Sequence, residues 1–195
     1  ALVCRWRMSN KKVPMLNRHI RALSERLVQG EPLTHNMLSW AKQHVEWSLA
    51  EGDYTAHDGV LMLVIDVNGN AAMTVGEYEP LADTSAKALR ARSAEARSEA
   101  DETGVAPELL AAVNNGELAF VAPADECLCG TATLIEQLAQ TKGIPVTRVD
   151  IPAQLKGALF LVSDEHGVVP ATDADAAESD AATVAFFADG YEKLR

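Results

Sequence analysis

Cysteine is scarce in this chain of 195 residues, which carries only Cys4, Cys127 and Cys129. An odd count with no secretory leader points to reduced thiols in a reducing compartment, not to a disulfide framework. Cys127 and Cys129 form Cys-x-Cys, but no second Cys or His pair stands at ligand spacing, which argues against zinc. One of the two is expected to be buried as a small hydrophobe. Basic residues are also few: 17 Lys and Arg stand against 28 Asp and Glu, for a formal net charge of −11. A field of that sign repels nucleic acid and anionic membranes, so a soluble cytoplasmic protein is expected. No apolar run is long enough to span a bilayer. The opening Ala-Leu-Val-Cys-Arg-Trp-Arg lacks the apolar stretch of a signal peptide. Dinucleotide fingerprints, Gly-x-Ser-x-Gly and calcium loops are absent too. His35, His44 and His57 are scattered, with no metal geometry at local spacing.

What remains is ordinary globular composition, 48% hydrophobic and 23% charged, enough for one large domain or two small ones. Val3 to Met8 alternates weakly as a strand, Ser9 to Lys12 reads as a hairpin turn, and Val13 to Leu16 as its return. Asn17 can cap a helix that runs to about Gln29 and stops at Gly30. A second helix starts near Thr34, with Leu38, Ala41, Val45 and Leu49 at helical spacing and Gly52 as its end. On it, His44 lies between Trp40 and Trp47, a pattern more often core than site. Val60 to Ile65 reads as a buried strand, and Asn68-Gly69 as the turn to a partner at Ala71–Glu77.

Pro80 to Asp83 reads as a boundary, giving lobes 1–80 and 84–195. Thr84 to Thr103 has strong helix composition and Gly104 stops it. Arg90, Arg92 and Arg97 alternate with Glu95 and Glu99 and read as a solvent-exposed paired face. Pro107 to Val113 fits either a helical turn or a strand, and Asn114-Asn115-Gly116 a turn. Strand and helix then alternate to Pro170, and a last helix spans about Ser179 to Leu194 with Val184, Phe187 and Tyr191 inside. The fold class is α/β: a small N-terminal α+β sandwich, then a mixed, barrel-like sheet with helices around it.

Gly130-Thr131-Ala132-Thr133 opens a helix. Free amides and the dipole at a helix start favour an anion, and glycine allows close approach. Thr133 and Glu136 equally fit a capping box, which would satisfy those donors internally.

The order of elements from Gly116 to Thr172 resembles the C-terminal half of the fold-type IV pyridoxal-phosphate enzymes, the class IV aminotransferases and aminodeoxychorismate lyases. The early stretch Asn10 to Leu23 looks like the family's turn and His-containing helix, with His19 in the histidine's place. Thr84 to Gly104 resembles the family's lysine-bearing stretch, and Lys87 is its one lysine. The resemblance implies pyridoxal 5'-phosphate as cofactor, an amino acid or oxo acid as substrate, and a homodimer. It implies that Lys87 forms the Schiff base and that Gly130, Thr131 and Ala132 hold the phosphate. It further implies that Ser163 binds phosphate or substrate carboxylate, and that Glu117 stands in for the glutamate at the pyridine nitrogen.

This sequence also departs from the family. Ala22 stands where the phosphate-binding arginine would be, with Arg21 beside it about a hundred degrees around the helix. Asp164 and Glu165 bring negative charge to a loop expected to face anions. Two readings follow: a pyridoxal-phosphate-dependent aminotransferase or lyase, or a non-catalytic relative that binds a small molecule or dimerises.

Overall fold

The computed structural model describes residues 1–53, 58–66 and 68–195; His57 lies outside them. Strand β1 (Leu2–Ser9) pairs antiparallel with β4 (Asp58–Ile65), and β4 with β5 (Ala71–Glu77). Alternation puts Leu2, Cys4, Trp6 and Met8 on one face beside Leu61, Leu63 and Ile65. Helices α1 (Leu16–Ser24) and α2 (His35–Glu51) supply Leu23, Ala41, Val45 and Leu49 to the same core. Thr34 caps α2, its hydroxyl accepting the Met37 amide. In the β4–β5 turn the Asp66 carboxylate accepts the amides of Asn68 and Asn70 at 2.8 and 2.9 Å. The outer face of α2 differs from expectation: Trp40 is 43% and Trp47 66% exposed.

Two further expectations give way in this half. Residues 13–16 do not return along β1. One edge of that strand is paired with β4 throughout, and on the other Val3 and Arg7 donate to the carbonyls of Gly104 and Asp164. Helix α1 stops at Ser24, because Gln29 (φ 53°) and Gly30 (φ 83°) form a two-residue turn between β2 (Leu27–Val28) and β3 (Glu31–Pro32).

Helix α3 (Ala86–Thr103) follows, capped by Ser85 and closed by Gly104 in the left-handed region. The second sheet has the order β10-β9-β6-β7-β8, built from β6 (Leu109–Asn114), β7 (Glu117–Val121), β8 (Val146–Val149), β9 (Ala158–Ser163) and β10 (Gly167–Pro170). Only β7 and β8 run parallel, so the sheet is mixed, as expected. Residues 107–113 include strand β6 and no helix, because its apolar residues are buried on both faces of the sheet. The late apolar stretch is a hairpin, β9–β10, turning at Asp164–His166.

Helices α4 (Gly130–Thr141) and α5 (Glu178–Leu194) cover one face, where Ala132, Ile135, Val184 and Phe187 meet Ala111, Phe120, Phe160 and Val162. Helix α3 covers the other, with Leu89 against Leu110, Leu159 and Leu161. The sheet therefore stands between the start of α3 and α4. The arginines of α3 do not pair along the helix. Arg90 donates to the carbonyls of Pro152 and Leu155, Arg92 pairs with Glu108, and Arg97 with Glu126. Asp180 of α5 accepts the amides of Asn115 and Gly116 at the β6–β7 turn.

Candidate functional site

The start of α4 faces the β9–β10 turn. Thr131 donates to Asp164 Oδ1 twice, from its amide and from its hydroxyl, each at 2.9 Å. Its partner carboxylate is only 12% exposed. Cys129 is the N-cap but offers no side-chain cap, and Thr133 turns its hydroxyl onto the carbonyl of Gly130. At the helix start the Thr131 amide is therefore satisfied from outside by Asp164, and the Thr133–Glu136 capping box does not form.

His19 of α1 closes the seat from the opposite side. It is buried and stacked on Trp6, with ring centroids 5.2 Å apart. Its Nδ1 has no hydrogen-bond partner among the described residues and lies 3.6 Å from Asp164 Oδ1, too far for a hydrogen bond but close enough for charge attraction. Burial pushes the Asp164 carboxyl upward; the attraction of His19 and the two Thr131 donors outweigh it and hold the group below the ordinary carboxylate range. Gly130 is needed here: a methyl group on it would run into the His19 ring. Gly130→Ala is expected to cost about 1–3 kcal/mol of stability, read by urea unfolding.

Beside this contact lies a cavity of about 60 Å³, lined by Cys4, Trp6, His19, Glu99, Cys129 and Asp164 among others. Burial pushes the Cys4 thiol up to about 12 and the Cys129 thiol well up, so both are un-ionised at neutral pH. Cys127 is exposed.

The residues singled out in the sequence do not converge on this cavity. Gly130, Thr131 and Ala132 are buried at the seat, with Asp164 on Thr131. Ser163 lines the cavity, but its hydroxyl accepts the amides of Glu165 and His166 at 3.1 and 2.9 Å and so holds the turn. Glu117 is exposed at the start of β7, opposite Asn114. Lys87 is exposed on the first turn of α3. The cavity touches that helix only from Ala96 onward, nine residues later, or about 13 Å along the axis. Ala22 lines the cavity and the neighbouring Arg21 does not. Asp164 brings negative charge to this loop, as expected, and its carboxylate is itself the anion seated on Thr131.

Pyridoxal phosphate does not fit these residues. Its phosphate and the Asp164 carboxylate compete for the same Thr131 donors. No lysine is found among the described residues that line the cavity. A void of about 60 Å³ is also far below the roughly 300–1,000 Å³ of small-molecule sites.

No family model matches the sequence, and no curated protein matches it. Solved structures do. A provisionally assigned branched-chain amino acid aminotransferase from Thermotoga maritima superposes with a TM-score of 0.63 at 15% identity, over 100% of this chain and 86% of that one. A hypothetical aminotransferase from Mycobacterium tuberculosis, in a pyridoxal-phosphate-bound form, gives 0.60 at 10% identity, over 100% and 89%. A fold IV transaminase from Curtobacterium pusillum gives 0.60 at 15% identity, over 100% and 85%. At such identities the likeness speaks for the backbone and not for the chemistry: this chain has the fold of the fold-type IV aminotransferases.

Proposed function

We propose that this chain uses the fold-type IV framework as a non-catalytic module that binds a small molecule or dimerises. The observation that carries the reading is the Asp164 carboxylate on the amide and hydroxyl of Thr131. A dianionic phosphate at the same donors would meet a buried like charge. The exposed Lys87, the Ala22 side chain and the exposed Glu117 support the same conclusion.

The test is a titration of the purified protein with pyridoxal 5'-phosphate, followed by absorbance and by mass spectrometry after borohydride. The expected result is no site-specific aldimine band, and spectra of wild type and Lys87→Ala that coincide. A band that borohydride removes and that Lys87→Ala lacks would overturn the reading, as would transamination of any amino acid.

A cytoplasmic location is consistent with the free thiols. A homodimer is supported by the exposed Trp40 and Trp47 on α2. Light scattering on the eluted protein tests it, and a mass near 20.9 kDa at all concentrations would count against it.

A further inference from the structure

A second depression lies on the outer side of the α1–α4 contact. It has a volume of about 360 Å³, within the range of small-ligand pockets. Its lining includes Arg18, Arg21 and Glu25 from α1 and its end, Cys127 and Leu128 from the loop before α4, and Glu136 from α4. It adjoins the cavity beside the Asp164 seat, sharing Ala22, Cys127 and Leu128 with its lining, but includes neither Thr131 nor Asp164, and it does not depend on the non-catalytic reading.

The charges around this groove are poorly matched to one another. Arg148 donates to the carbonyls of Pro123, Ala124 and Glu126 at 2.8, 3.1 and 2.7 Å, and the Glu126 carboxylate pairs with Arg97. Those two groups are structural. Arg18 donates to the hydroxyl of Thr133 and the side-chain oxygen of Gln137, both neutral, so its charge meets no anion. Burial and the neighbouring Arg21 hold the Arg18 guanidinium below its usual range.

The Arg21 guanidinium makes no hydrogen bond or ion pair among the described residues, nor do the carboxylates of Glu25 and Glu136. Arg18 and Arg21 are like charges three residues apart on α1, which is unfavourable, and the opposite charges of Arg21 and Glu25 do not pair. Two cations and two anions, none ion-paired among the described residues and with Arg21 and Glu25 exposed to solvent, thus rim one groove, with Ala22 and Leu128 as apolar lining.

We propose that this groove binds a small zwitterion, its carboxylate on Arg18 and Arg21 and its ammonium on Glu25 and Glu136. Each ligand charge meets its opposite, and the short apolar body lies on Leu128. A simple anion would satisfy the arginines and face two carboxylates, and a simple cation the reverse.

Cys127 reports on the site. Its thiol lines the groove and donates to the carbonyl of Glu25, and Cys4 and Cys129 are buried, so iodoacetamide on the folded chain reads Cys127. The probe is norleucine. Its two controls are hexanoate, which lacks the ammonium, and pentylamine, which lacks the carboxylate. Norleucine at twice its Kd is expected to slow alkylation about threefold, with a Kd of about 1 mM or tighter. Hexanoate and pentylamine are expected to leave the rate nearly unchanged, and Arg21→Ala and Glu25→Gln each to abolish the protection. No protection by norleucine at about 10 mM would overturn the proposal. Equal protection by hexanoate would overturn it too, by making this an anion site. Protection that survives both substitutions would place the ligand elsewhere.

Discussion

Asp164→Ala is expected to lower the unfolding free energy by about 2–5 kcal/mol, because it strands two buried donors that bond a charged acceptor. The substitution leaves the Thr131 amide and hydroxyl without their acceptor and His19 without its neighbouring charge. Asp164→Asn keeps an acceptor oxygen and should lose less. The pH dependence has a definite sign. The folded carboxyl titrates below its unfolded value, so its contribution is complete at neutral pH. It is lost as the pH falls from about 4 toward the lower folded value. Urea unfolding at pH 7 and at pH 3 checks this: the gap between wild type and Asp164→Ala should narrow at the lower pH. The alanine variant also empties an anion seat. Orthophosphate at ten times its Kd should then stabilise the variant by about 1.4 kcal/mol, and leave the wild type unchanged. A variant as stable as wild type would mean that the Thr131 contact contributes nothing.

Phe187→Ala should cost a similar amount, about 3–5 kcal/mol. Phe187 is fully buried on α5, 6.1 Å from the ring of Phe160 on β9 and 5.8 Å from that of Phe186. Its removal leaves a void between α5 and the five-stranded sheet, whose face is already filled by side chains from α4, α5 and the strands. Phe187→Leu should lose much less, because the space is mostly kept. Leu194→Ala, at a site 51% exposed on the same helix, should change stability by no more than about 0.5 kcal/mol. Equal losses at positions 187 and 194 would contradict the packing described.

The regular elements were legible where one local signal settled them. Thr34 and Ser85 cap α2 and α3, and periodic Ala41, Val45 and Leu49 face the core. The turn at Asn115-Gly116 was legible because both residues take positive φ. Where local signals competed, the fold chose. The periodicity of the first helix runs through Leu27, yet Leu27 is 58% exposed in a hairpin. Trp40 and Trp47 read as core by residue type, but the face they share lies opposite Ala41 and Val45. The arginines of α3 had helical partners at hand and took distant ones, because that helix lies across the sheet and the loops beside it.

By itself the sequence determined most of the helices and strands, though not the β2–β3 hairpin or the place of residues 13–16, together with the acidic surface and the fold-type IV order of its C-terminal half. Periodicity, capping and charge act over a few residues, and a chain records them locally. The tertiary structure alone decided what meets the start of α4, because Asp164 lies 33 residues from Thr131 and reaches it through a hairpin turn. It alone decided that Lys87 and that helix start lie on opposite faces of one sheet. Contacts of that kind depend on how layers stack, and no local pattern encodes the stacking.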